Sequence, residues 1–257
     1  MTASPRGPEK SSGTTPPGAR DEREAARYVR DMFSRIAPRY DFLNHLLSFS
    51  LDRLWRRQAA RRFVHILVRS DARILDLCCG TGDLAFAIER ERAPDPCGIP
   101  IIGCDFAPPM LERAQSKSSG RAVVFVGADA LKLPFAGASF DLVASAFGFR
   151  NLANYEAGLQ EIARVLKPGG EVGILEFASP SSGPLAAIFR LYFRWILPSI
   201  GGAISGNWRA YSYLPNSVSK FPTPKELAVI MERNGFADVR VTSRNFGSVV
   251  LHSARRA

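Results

Sequence analysis

The stretch Ile74-Leu75-Asp76-Leu77-Cys78-Cys79-Gly80-Thr81-Gly82-Asp83 is an apolar run that ends in two glycines and opens onto a helical pattern. An α/β sheet forms a nucleotide-shaped crevice this way, because glycine has no Cβ and lets the backbone turn sharply and approach a ligand closely. Roughly twenty residues on, a second apolar run, Ile101-Ile102-Gly103-Cys104, ends in Asp105. A carboxylate at the end of the neighbouring strand is placed to accept two ribose hydroxyls. The pair of features predicts an adenosine-containing cofactor.

Two cofactor classes compete. Read from Gly80, the chain gives G-T-G-D-L-A, which meets the loose dinucleotide fingerprint through Ala85. Asp83, however, stands at the N-terminal end of the helix, where a pyrophosphate would have to sit, and like charges there repel. S-adenosylmethionine carries a positive sulfonium, which nearby acids favour. A tight strand-to-helix turn with no ligand is a third reading of the glycines taken alone.

The chain beyond extends the pattern. Val123-Val124-Phe125-Val126 leads into Gly127-Ala128-Asp129-Ala130, and Ser139-Phe140-Asp141-Leu142-Val143 leads into Phe147-Gly148-Phe149-Arg150-Asn151. In a doubly wound sheet the carboxyl ends of these strands lie over one crevice. Asp129 then reaches the adenine amino group, and the amide of Ala130 donates to a ring nitrogen. Arg164-Val165-Leu166-Lys167-Pro168-Gly169-Gly170 stops a helix and turns into a fifth strand, Glu171 to Phe177.

The series LDLCCGTGD, CDFAPPML, GADALKLPF, FDLVASAFGFRN and RVLKPGGEVGILEFASP resembles the class I methyltransferases, and within them the ubiquinone/menaquinone biosynthesis C-methyltransferases. More specific to that family are Arg39 to Asn44, Leu54 to Arg57, FGFRN, LEFASP, Tyr211 to Leu214, and Gly247 to His252. The resemblance runs from about Arg27 to the end. It implies a Rossmann-like α/β fold, with a seven-stranded, mostly parallel sheet, an antiparallel C-terminal strand, and helices on both faces. It also implies S-adenosylmethionine as cofactor, held by the loop Gly80, Thr81 and Gly82, with Thr81 at the methionine part, Asp105 at the ribose, and Asp129 with Ala130 at the adenine. A family serine just before the FG of FGxRN meets Ala146 here, with Ser145 adjacent. Ser50 and Asp52 stand where family members often carry glycine and histidine.

Length and composition fit a single enzyme domain. A chain of 257 residues, 46% hydrophobic, can bury an ordinary core. Residues 1–24 are rich in Pro, Gly, Ser and Thr and read as a disordered tail. Residues 25–257 then form the methyltransferase domain, with 25–70 as a helical cover and 181–222 as a substrate lid. The four cysteines form no C-x-x-C pair and suggest reduced core thiols. The three histidines lie far apart, so no metal site is expected. The tail lacks the apolar segment of a signal peptide, and its acids argue against a transit peptide. A cytoplasmic location follows.

The formal net charge of +10 comes partly from Arg53, Arg56, Arg57, Arg61 and Arg62, on one helix with Leu54, Trp55 and Phe63. No nucleic-acid module accompanies them. A basic amphipathic helix suits an anionic membrane surface, at the inner face of the plasma membrane, although a merely solvated face reads the same way. Leu185 to Pro198, LAAIFRLYFRWILP, puts Arg190 and Arg194 on one helix face. At about fourteen residues against the roughly twenty a span needs, it reads as a wall over an apolar substrate. A homodimer is left open.

The resemblance implies methylation of a ring carbon of a prenylated quinol, demethylmenaquinol before 2-methoxy-6-polyprenyl-1,4-benzoquinol. The ring carbon becomes nucleophilic as a hydroxyl loses its proton, so the protein must exclude water, align the partners and assist deprotonation. Arg150 and Asn151 are placed to stabilise a phenolate and orient a water, and Tyr40 to hydrogen-bond the ring oxygens. Asp83 and His45 are the alternative bases. Two other classes compete: an NAD-dependent oxidoreductase, which Asp83 disfavours, and a catalytically silent cofactor-binding scaffold.

Overall fold

The computed structural model describes residues 13–14, 16–92, 98–179, 191–196, 198–201 and 208–257. Seven strands form one sheet: β1 (Ile74–Leu77), β2 (Ile101–Asp105), β3 (Val123–Gly127), β4 (Phe140–Ala146), β5 (Leu166–Phe177), β6 (Phe236–Arg244) and β7 (Val249–Arg256). Their order is β3-β2-β1-β4-β5-β7-β6. The first five are parallel, and β7 is antiparallel to both of its neighbours. This is the sheet the sequence resemblance implies.

Alternation along the strands decides what covers each face. Ile74, Leu142 and Ala144 point to one side. They pack there with Ala60, Phe63, Ile66, Leu84 and Ile88, from helices α3 (Leu51–Arg62), α4 (Val64–Leu67) and α5 (Asp83–Glu91) and the residue between α3 and α4. Leu75, Leu77 and Val143 point the other way, against Leu159, Ile162, Leu227 and Met231 of α7 (Tyr155–Val165) and the capped helix Pro224–Arg233. Thr223 and Glu226 close that helix's start as a capping box, with Pro224 at its first position.

The fifth strand starts earlier than its apolar run suggests. Leu166 already pairs with Phe140, and the next register position is Leu142 with Glu171. Residues 167–170 are therefore accommodated as an irregularity in the strand, where Gly169 takes a left-handed φ of +75°.

The N-terminal segment forms α1 (Glu22–Ile36), α2 (Tyr40–Leu47) and α3. Val29, Met32, Leu43 and Leu47 share a core with Met110 and Tyr213, so α1 and α2 sit over the carboxyl ends of the strands, whereas α3 lies on a face of the sheet. Asp21 caps α1 by accepting from the Glu24 amide. Within the stretch read as a tail, Thr14 is buried, and its amide donates to the Leu152 carbonyl at 2.8 Å. Of the expected lid, residues 181–190, 197 and 202–207 lie outside the described residues, and Arg190 with them. Tyr192 donates to the Leu47 carbonyl.

Helix α3 differs from its reading as a basic surface helix. Trp55, Arg56 and Phe63 are buried, because one face of α3 packs on the sheet and on α5. Arg57 and Arg61 are exposed, but both pair with Glu91 of α5, at 2.8 and 3.0 Å.

Close packing of α3 on the sheet requires glycine at position 173. A Cβ there would lie 2.6 Å from ring atoms of Phe63, which is 1% exposed and has no room to swing away. Gly173→Ala is expected to lower stability by about 1–3 kcal/mol, read as an earlier urea midpoint. An unchanged midpoint would contradict this packing.

Candidate active site

Strand β1 runs into a loop with three left-handed residues, Cys78 (φ +56°), Gly80 (φ +54°) and Gly82 (φ +86°). The bend is stabilised by the Cys79 amide, which donates to the Cys104 carbonyl at 2.9 Å. Beyond β4 the chain turns through Phe147 at φ +61°. A Cβ on Gly148 would sit 2.5 Å from that of Cys78, so only glycine lets the ends of β1 and β4 come this close. Non-glycine residues held at positive φ on both strand ends are the kind of local strain that gathers at functional sites. Between them opens a cleft of about 950 Å³, counted out to its mouth.

Acids line its floor. Asp105, at the end of β2, accepts from the amides of Gly80 and Ala107 at 2.9 Å each. Burial pushes its carboxyl up, and these backbone donors pull it part of the way back. Asp76 of β1 is fully buried. Its Oδ2 accepts from the Ala85 amide at 2.8 Å, whereas its Oδ1 is buried without a protein partner, in a residue that lines the cleft. Burial pushes Asp76 up to about 8. Asp129 and Ala130 lie along the same cleft, with Asp129 exposed and accepting from the Leu131 amide at 2.9 Å.

The cover closes the other side. Phe33 and Tyr40 line the cleft with Phe106, Met110 and Phe147, which makes that wall apolar. Surrounding protein pushes the Tyr40 phenol up, and the Arg150 and Arg56 guanidiniums pull it down in part. At the glycine loop, the Thr81 hydroxyl donates to Asp41 of α2. Lys117, which ends helix α6 (Pro108–Lys117), bridges Asp41 and Asp83 at 2.8 and 2.9 Å. The cover is thus tied by charge to the loop that faces the cleft.

Asn151 lines the cleft, but Arg150 does not. Arg150 is 5% exposed. Its Nη1 donates to Glu176 Oε2 at 2.9 Å, and its backbone amide to Glu176 Oε1 at 3.0 Å. Burial pushes the Glu176 carboxyl up, and Arg150 draws it part of the way back. Arg150 therefore stands behind the wall, next to Asn151, whose Oδ1 accepts from Tyr213 at 3.2 Å.

Of the alternative bases, Asp83 lines the cleft and His45 does not. His45 Nδ1 lies 2.9 Å from Asp52, and its Nε2 3.9 Å from Asp83. His45, Asp52 and Asp83 bring ligand-type atoms within 4.8 Å of one another, but Arg56 already pairs with Asp52 and lies 4.0 Å from Asp83, so a cation is present. Ala146 lines the cleft, and the hydroxyl of its neighbour Ser145 is buried beside Gly148 and Cys78, where the ends of β4 and β1 meet, without a hydrogen-bond partner.

Sequence reasoning missed Asp76, Asp41, Lys117, Glu176 and the inward place of Arg56. Asp76 left a signal, a carboxylate within an apolar run that lacks the alternation of a half-exposed strand. Asp52 and Arg56 left another, opposite charges four residues apart on one helix. Asp41, Lys117 and Glu176 meet their partners only through the fold.

A model of the ubiE/COQ5 methyltransferase family matches residues 20–256, a span that takes in both the cover and the sheet. The chain belongs to this family. It is 50% identical over 227 residues to a demethylmenaquinone methyltransferase of Thermus thermophilus, covering 88% of this chain and all of that one. It is 40% identical to a ubiquinone/menaquinone biosynthesis C-methyltransferase of Geobacter sulfurreducens, covering 91% of this chain and 90% of the other. A solved structure of a SAM-dependent methyltransferase, possible histamine N-methyltransferase, from Thermotoga maritima shares the fold at a TM-score of 0.61 and 19% identity, covering 88% and 99% of the two chains. The cofactor of this ubiE/COQ5 family member is S-adenosylmethionine. The cleft fits that group: it has a glycine cradle, a buried carboxylate oxygen without a protein partner, and acids where a cationic ligand would lie.

Two outcomes follow from the buried charges. Arg150→Ala leaves Glu176 buried without its cation and is expected to cost about 3–5 kcal/mol of stability, measured by urea unfolding; a loss near zero would contradict the pairing. For Asp76, the folded chain retains a proton that the unfolded chain releases above 3.8. Its contribution to stability is therefore full at low pH and is lost as pH rises towards about 8. Asp76→Asn is expected to flatten the fall in melting temperature of the ligand-free protein over that window, and an equally steep fall in both proteins would sink the assignment.

Proposed function

We propose that this chain transfers a methyl group from S-adenosylmethionine to a ring carbon of a prenylated quinol, with demethylmenaquinol as substrate. The observation that carries the reading is one cleft with two unlike walls, acidic at Asp76, Asp105 and Asp129 and apolar at Phe33, Tyr40 and Phe147, in a chain half identical to a demethylmenaquinone methyltransferase. The acidic wall suits a cationic adenosine cofactor, and the apolar wall a prenylated ring.

The roles follow from position. Asp105 takes the ribose, Asp129 with the Ala130 amide takes the adenine, and Gly80, Thr81 and Gly82 meet the methionine part. Bound S-adenosylmethionine supplies an electrophilic methyl. The chain's own residues bind the ring, keep water out and draw off a proton. Tyr40 and Asn151 hydrogen-bond the ring oxygens. Arg150 acts on them from behind by position: held by Glu176, it fixes the turn that carries Asn151. Asp83 is the base with access to the cleft.

The cover also supports a membrane-facing reading. Phe42 and Leu46 of α2, which also carries Tyr40, Phe49 in the turn after it and Leu54 of α3 are all more than 40% exposed. Arg53, exposed beside them, adds positive charge. Such a surface suits an anionic bilayer from which a prenylated quinol is drawn, with the protein otherwise in the cytoplasm. Among the described residues no helix is long and apolar enough to cross a membrane.

The ubiquinone-pathway benzoquinol is the second substrate, favoured by the name of the Geobacter sulfurreducens relative. Labelled methyl transfer from S-adenosylmethionine, offered reduced demethylmenaquinone and the benzoquinol separately in detergent, decides between them. Label in the naphthoquinol is expected. Label in the benzoquinol alone would overturn the substrate assignment, and label in neither, with cofactor bound, would overturn the reaction.

A further inference from the structure

Arg56 is the one basic side chain among the described residues that line the cleft. It is 6% exposed, and its guanidinium carbon lies 5.3 Å from the centre of the Phe147 ring. Its Nη1 donates to Asp52, which also accepts from Ser48 at 2.7 Å and is held by His45. Among the described residues no acceptor takes its Nε or Nη2. A buried guanidinium is fixed by one carboxylate, with two donor nitrogens left over on a ligand cavity.

Such a group is best matched by an anionic oxygen, which satisfies charge and hydrogen bonds together. Its place selects which one. Arg56 lies 4.0 Å from Asp83, at the glycine-loop end of the cleft and away from the strand ends that carry Asp105 and Asp129. S-adenosylmethionine brings two cationic centres and one carboxylate. The cleft's acids answer the cations. An unpaired carboxylate in a desolvated site is costly, and no other lining side chain offers it a positive charge.

We infer that Arg56 binds the α-carboxylate of the cofactor's methionine through its Nε and Nη2 donors, and that Asp52 is a positioning residue that holds the guanidinium in this orientation. Arginine's planar fork suits a carboxylate by geometry as well as charge. The inference rests on adenosine lying at Asp105 and Asp129, as proposed above.

The test compares S-adenosylmethionine with its decarboxylated form, which keeps the adenosine, the sulfonium and the amine. By calorimetry, the unaltered protein is expected to bind the full cofactor tighter by about tenfold or more. Arg56→Met is expected to bring the two ligands within about twofold, by weakening the full cofactor and leaving its decarboxylated form unchanged. Unaltered affinity for the decarboxylated form also reports that the cleft is folded. Arg56→Lys retains a cation for Asp52 and gives the same comparison with a narrowed gap, should the methionine variant not fold. A gap that survives Arg56→Met, or an equal loss for both ligands, would overturn the inference. Asp105→Ala keeps the underlying reading separate: an equal loss for both ligands is expected there, and no loss would mean that the adenosine placement had failed rather than the role of Arg56.

Discussion

The site depends on how closely the ends of β1 and β4 approach each other. Strand β1 is flanked by β2 on one side and β4 on the other, so the chain leaves it in one direction for its first crossover and returns beyond it later. The connections diverge at this point and leave a crevice outside the carboxyl ends. Gly148 against Cys78 sets the width of that crevice, and left-handed turns at Cys78, Gly80 and Phe147 bend both chains away from it. Had the strand ends carried ordinary side chains in ordinary conformations, the cleft would be filled by protein.

Charge organises what the backbone leaves open. Carboxylates converge on the cleft from β1, from the end of β2 and from the segment after β3, and the cations are held at its margins. Arg150 is neutralised by Glu176 behind one wall, Lys117 by Asp41 and Asp83 above the loop. A ligand entering the cleft therefore meets a predominantly acidic surface with Arg56 at one end. The Lys117 bridge also ties α2 of the cover to α5 and α6, so the N-terminal helices take part in shaping the site as well as roofing it. An apolar wall from α1 and α2 faces the acidic floor, and a cationic nucleoside and a hydrocarbon-tailed ring can each lie against the surface that suits it.

Much of this was legible in the sequence, and the reasons differ by element. Five strands followed from apolar runs and glycines, and the seven-stranded mixed sheet from the family motifs; the order of the strands came only with the fold. The crevice followed from the loop after β1 and from Asp105, because both signals are local. Asn151 and Tyr40 were found in the same way and do line the cleft. Arg150 was expected in the cleft with them and stands behind its wall instead, because its partner Glu176 lies in β5, and pairing across a sheet leaves no mark on either segment alone. Arg56 was misread because arginines at five nearby positions look like one basic face, whereas helical rotation turns one of them inward. The bridge from Asp41 through Lys117 to Asp83 joins three elements and could be seen only once they were packed.

The central claim is that an acid-lined crevice selects a sulfonium nucleoside over a pyrophosphate-bearing one. Calorimetric titration of the protein with S-adenosylmethionine and, separately, with NAD⁺ tests it most directly. The account predicts saturable binding of S-adenosylmethionine and no measurable heat with NAD⁺ at the same concentrations. Binding of NAD⁺ as tight as that of S-adenosylmethionine would contradict it.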